Sequence, residues 1–103
     1  MLQVAINVLD FGMNVQQAIE YPRVISASFP ESFFPHAALP GLLQVEGRFG
    51  EATVAALDDL GHRVRVMPDF WRGACTVCAV RRLETGALEG GADPRREGIA
   101  RGF

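Results

Sequence analysis

By type and spacing, the residues best suited to chemistry are two cysteines in Cys75-Thr76-Val77-Cys78. A redox CxxC needs its first thiol at a helix N-terminus, where the helix dipole lowers its pKa. This pair lies instead in a β-prone run, Gly73 to Arg82, and residues three apart on a strand face opposite sides of a sheet. A structural zinc site needs four ligands. The only histidines are His36 and His62, and neither stands in a ligand-type pairing. Cys75 and Cys78 are therefore expected to be small buried hydrophobes. His36 reads as loop packing and His62 as a surface histidine just past a helix.

Four scattered acids, Asp10, Asp58, Asp59 and Asp69, complete the candidates. Paired-carboxylate catalysis needs two such groups about 5–10 Å apart, and sequence alone does not bring these four together. Gly90-Gly91 before Asp93 has no phosphate-loop pattern around it. No GxSxG nucleophile elbow is present. No residue is assigned as catalytic, cofactor-binding or metal-ligating, and no cofactor is expected.

Composition narrows the class further. The chain has 103 residues, 49% hydrophobic and 21% charged, as in an ordinary globular protein. The apolar content is too high for a solvated coil. The longest uncharged apolar-rich stretch, Met1 to Leu9, is about half the ~20 residues that cross a bilayer, so no membrane span is expected. Neither a basic n-region nor a small-residue cleavage site surrounds Met1, and no signal peptide is expected. Net charge is −2 with no basic stripe, which argues against a nucleic-acid partner. All ten basic residues are Arg, as a GC-rich coding bias would give. Two cysteines are too few for a disulfide framework.

Leu2, Ala5, Ile6 and Leu9 recur at helical spacing and predict a helix from about residue 2 to 10, stopped at Gly12. Asn14 with Gln17 three residues on reads as a capping box for a short helix over 15–20, which ends before Pro22. Val24 to Ala27 can form a short strand. Residues up to Gly41 then read as a long loop, with Pro30, Pro35 and Pro40 punctuating Phe29, Phe33 and Phe34. Leu42 to Glu46 reads as a strand, Gly50 to Leu60 as a helix closed by Gly61, and Arg63 to Val66 as a half-buried strand. The run Gly73–Arg82, the turn Glu84-Thr85-Gly86 and the return Ala87–Glu89 predict a hairpin. The tail from Gly90 reads as irregular. The fold class is α+β, with a mostly antiparallel sheet, two N-terminal helices and one middle helix.

Three segments carry a family resemblance. Asn7-Val8-Leu9-Asp10-Phe11-Gly12-Met13-Asn14, followed by Ala18-Ile19-Glu20 and Pro22-Arg23, opens it. Val45-Glu46-Gly47-Arg48-Phe49 with Leu60-Gly61-His62 and Val64 continues it. Gly90-Gly91 with Asp93-Pro94-Arg95, after the Glu84–Leu88 turn, closes it. In this order the segments resemble the C-terminal part of the small subunit of the γ-glutamyltransferases.

The resemblance implies a partial αββα sandwich of the N-terminal-nucleophile (Ntn) hydrolase type, residues 1–103 forming a single partial domain. Enzymes of that family cleave their own precursor. The threonine so freed attacks the γ-glutamyl amide of glutathione or a relative, with its own α-amine able to serve as base, and backbone N–H groups hold the oxyanion. The acyl group passes to an amino acid, a peptide or water. The family's nucleophilic threonine, substrate-gripping residues, paired serines and oxyanion-hole glycines fall upstream of the matched segment. None therefore maps onto Met1–Phe103, and Gly73-Ala74-Cys75-Thr76 lacks the glutamine often found in that stretch. The chain is expected to be inactive alone. Its expected partner is the remainder of such an enzyme, or a second copy in a homodimer that covers the Phe29, Phe33 and Phe34 loop. The family is often periplasmic or extracellular, and the compartment of this chain is left open.

Overall fold

The computed structural model describes residues 1–102 and divides the chain into two compact units. One comprises Met1–Tyr21 and the segment from Arg72 onward; the other is Pro22–Trp71. The mixed α+β class is as expected.

In the first unit, α1 (Leu2–Leu9) and α2 (Val15–Glu20) are joined by a turn through Gly12, whose φ of 67° favours glycine. The capping box forms as the sequence predicts. Gln17 N donates to Asn14 Oδ1 at 2.8 Å, and Asn14 N donates to Gln17 Oε1 at 3.3 Å. Strands β4 (Cys78–Arg82) and β5 (Leu88–Ala92) pair antiparallel as the expected hairpin, turning through Gly86 at φ 86°. Val4, Val15, Ala18, Ile19 and Val77 form the core of this unit.

Two boundaries differ from the sequence expectation. β4 starts at Cys78, because Arg72–Ala74 forms a 3-10 turn and Cys75 takes a left-handed φ of 62°. β5 extends through Gly90 and Gly91 to Ala92, where an irregular tail is expected. Glycine content masks this strand, and packing requires the glycine. A Cβ on Gly91 would stand 2.9 Å from both Ile19 Cδ1 and Val15 Cγ1, so α2 lies directly on the bare backbone.

In the second unit, β1 (Val24–Ser26) pairs antiparallel with β2 (Leu42–Glu46). After a 3-10 turn at Gly47–Phe49, α3 (Glu51–Asp59) returns the chain to β3 (Arg63–Met67), which pairs parallel with β2. Two of the three ladders are thus antiparallel. The third is parallel because a helical crossover between neighbouring strands restores their direction. The Pro/Phe loop between β1 and β2 closes on itself: Leu39 N donates to Ala27 O at 2.8 Å, and Glu31 N to Ala37 O at 3.0 Å. Phe29, Phe33 and Phe34 point outward and are exposed.

Candidate functional site

The buried ionic groups form two clusters, one in each unit. In the first unit, Asp93 and Arg95 have fully enclosed side chains and meet at 3.1 Å between Oδ1 and Nη1. Asp93 lies just past the end of β5. Its Oδ2 accepts from Val77 N at 3.1 Å, and its Oδ1 also accepts from Arg95 N at 3.0 Å. Arg95 reaches back 74 and 76 residues: Nη1 donates to Ile19 O at 2.9 Å and Nη2 to Tyr21 O at 3.0 Å. These carbonyls lie at the C-terminal end of α2, where a helix has no backbone partners left for them and favours a cation. One ion pair thus ties α2, the turn before β4 and the chain after β5.

In the second unit, Glu46 at the end of β2 is 1% exposed. Its Oε2 accepts from Arg23 N at 3.0 Å and from Arg48 Nη2 at 3.3 Å, and its Oε1 accepts from Trp71 N at 2.9 Å. The Arg48 guanidinium also stacks 3.8 Å above the Phe70 ring centroid. Gly47 sits close beside it: a Cβ there would stand 3.1 Å from Oδ1 of the exposed Asp69 side chain, which would have to shift slightly. Glu46 therefore joins three separate stretches of chain at one carboxylate.

Both carboxylates accept at least three hydrogen bonds each from protein groups. A carboxylate held this way orders backbone; it has little capacity left to take a proton from a substrate. The residues singled out by type do not converge either. Asp10, Asp58, Asp59 and Asp69 are all exposed. His36 is exposed in the Pro/Phe loop, where its Nδ1 lies 2.9 Å from Glu31 O, and His62 is half-buried beyond α3 rather than fully exposed. Cys75 and Cys78 are both exposed, and no disulfide joins them. The expectation of two buried thiols fails because Cys75 sits outside the strand and Cys78 lies on its open face. Among the described residues, no three His, Cys, Asp or Glu side chains gather where a metal could bind. No described helix is long and apolar enough to cross a membrane.

Type-based reading thus misses Glu46, Asp93 and Arg95. The available signal was an acid two residues before an arginine, in Asp93-Pro94-Arg95 and Glu46-Gly47-Arg48. That pattern does not reveal partners tens of residues away.

The arrangement is an α+β segment in which buried ionic groups hold backbone in place. The gamma-glutamyltranspeptidase family profile matches residues 1–103, and the chain belongs to that family. It is 41% identical over 96 residues to the glutathione hydrolase-like YwrD proenzyme of Bacillus subtilis, covering 92% of this chain and 17% of that protein. It is 36% identical over 93 residues to the oxamate amidohydrolase proenzyme of Klebsiella pneumoniae, covering 89% of this chain and 16% of that protein. Among solved structures it is similar to the cephalosporin acylase of Bacillus halodurans, with a TM-score of 0.74 and 31% identity over 99% of this chain and 18% of that one. The chain thus spans about a sixth of the length of these two proenzymes.

Proposed function

We propose that this chain is the C-terminal structural segment of a γ-glutamyltransferase-like Ntn hydrolase, supplying strands and helices to its αββα sandwich. The enzyme so completed transfers or hydrolyses γ-glutamyl groups of glutathione-type amides. Its threonine nucleophile and oxyanion-hole donors come from outside residues 1–103. The observation that carries this reading is the use made of the family-resembling residues. Gly12 and Asn14 shape the α1–α2 turn, and Val45, Ala18 and Ile19 are buried. Glu46, Asp93 and Arg95 fasten backbone. Each serves the fold, as expected of a scaffold that positions chemistry held elsewhere.

The test is a chimera. The matched segment of the Bacillus subtilis proenzyme is replaced by these 103 residues. Self-cleavage and release of p-nitroaniline from γ-glutamyl-p-nitroanilide are expected in the chimera and absent when the segment is deleted. A folded chimera that neither cleaves itself nor turns over overturns the proposal.

One observation favours a second reading, a self-associating module: Phe29, Phe33 and Phe34 are more than four-fifths exposed on a single loop. A homodimer would cover them. Light scattering that finds a monomer across a wide concentration range removes this reading.

A further inference from the structure

The two outer edges of the β4–β5 hairpin are treated differently. On β5, Ala92 N donates to Gln16 Oε1 and Gln16 Nε2 donates to Ala92 O, both at 3.0 Å. The Gln16 amide thus takes the place of a neighbouring strand. These bonds also fix the phase of the ladder. Ala92 turns its backbone groups away from β4, so the pairs Ala79–Gly91 and Arg81–Glu89 exchange the ladder bonds. The bond from Leu83 N to Ala87 O at 2.9 Å fits the same phase. The N–H and C=O of Val80 and Arg82 therefore point outward from β4. Among the described residues, nothing hydrogen-bonds them there.

Beside this open edge lies an apolar groove of about 240 Å³. Val4, Val8 and Leu9 of α1 line it, with Val15, Val77 and Ala79. Leu9 is 78% exposed and Val80 72%. The helical spacing of Leu2, Ala5 and Leu9 leads to no packed face within the described residues: α1 buries Val4 instead.

We infer that an extended strand from the rest of a γ-glutamyltransferase-family polypeptide pairs with the outer edge of β4 and lays alternate apolar side chains in the groove beneath α1. This rests on the scaffold reading above and names the surface through which the scaffold joins its enzyme. Only an extended backbone offers donors and acceptors at the two-residue repeat of Val80 and Arg82. An uncovered edge of this kind is otherwise an aggregation hazard. The two proenzymes carry roughly five sixths of their length outside the matched segment, ample to supply the strand. Charge argues against a second copy. β4 carries Arg81 and Arg82 and no acid, so pairing β4 with itself would gather four guanidinium groups along one ladder. The incoming strand is expected to carry an acid opposite one of these arginines.

The test uses the full chain, isotope-labelled, with overlapping 12-residue peptides from the part of the Bacillus subtilis relative outside the matched segment. At least one peptide is expected to slow amide exchange at Val80 and Arg82 tenfold or more. Ala79 and Arg81, already bonded to β5, change less than twofold. Val80→Pro removes an N–H that the hairpin does not use, and Ala5→Glu puts a carboxylate into the groove from an exposed helical position. Both are expected to abolish the protection. Should Val80→Pro disturb the hairpin by circular dichroism, Ala5→Glu carries the comparison. Peptides that fail to protect Val80 and Arg82, or that protect them equally in Ala5→Glu, overturn the edge assignment. Protection that appears without peptide and rises with chain concentration overturns the choice of occupant in favour of a second copy. The chimera reports separately on the scaffold reading: turnover there with no edge protection here would sink this inference alone.

Discussion

Asp93 and Arg95 show how a charged pair can be costly to bury and still be required. Removing one member leaves the other charged and enclosed, a loss of about 3–5 kcal/mol. Arg95→Ala also removes the guanidinium donors to the carbonyls of Ile19 and Tyr21 at the end of α2. Destabilisation of that order is expected by urea denaturation, approaching the whole stability of a small domain. A loss below about 1 kcal/mol would mean that the pair does not hold the unit together. Glu46→Ala is expected to act differently, because it removes the carboxylate that accepts from the backbone N–H groups of Arg23 and Trp71. Each costs about 1–3 kcal/mol when left buried without a partner. Hydrogen exchange should therefore accelerate at these two amides before the unit unfolds as a whole. Neither cluster was legible from residue types, since Asp93 reads as a turn residue in a glycine-rich tail and Arg95 finds its acceptors 74 and 76 residues away.

Elements whose signals are local were readable from the sequence. The Asn14–Gln17 capping box, the α3 region closed by Gly61 and the hairpin turn at Gly86 each depend on a few adjacent residues. Asn14→Ala is expected to cost about 1 kcal/mol through loss of the cap, measurable as a lower denaturation midpoint with an unchanged slope. The elements that were misread depend on distant packing. β5 looks irregular because Gly90 and Gly91 have low strand propensity, yet Gly91 is where α2 touches the sheet. Gly91→Ala is expected to destabilise by about 1–3 kcal/mol through overpacking against Val15 and Ile19, despite alanine's better intrinsic propensity. A stabilised variant would refute that account of the glycine. The parallel β2–β3 ladder follows from the strand–helix–strand order once α3 is recognised as a crossover. Cys75 and Cys78 depart from the expected burial for a related reason: a 3-10 turn delays the start of β4, which composition does not announce.

At the scale of the whole molecule, the chain belongs to an enzyme family while its buried polar groups are spent on holding backbone. Its family-resembling segments include a glycine turn, a cap and buried ion pairs that fix helices and strands, and the whole chain spans about a sixth of the two proenzymes it matches. Such a segment is expected to gain stability when the missing surface is supplied, since anything that binds only the folded form raises apparent stability. On the function proposed above, the chemistry of γ-glutamyl transfer is not carried by residues 1–103. Its most direct test is release of p-nitroaniline from γ-glutamyl-p-nitroanilide by the purified chain alone. No release above the uncatalysed rate is expected, whereas turnover abolished by a threonine-directed inhibitor would contradict the account.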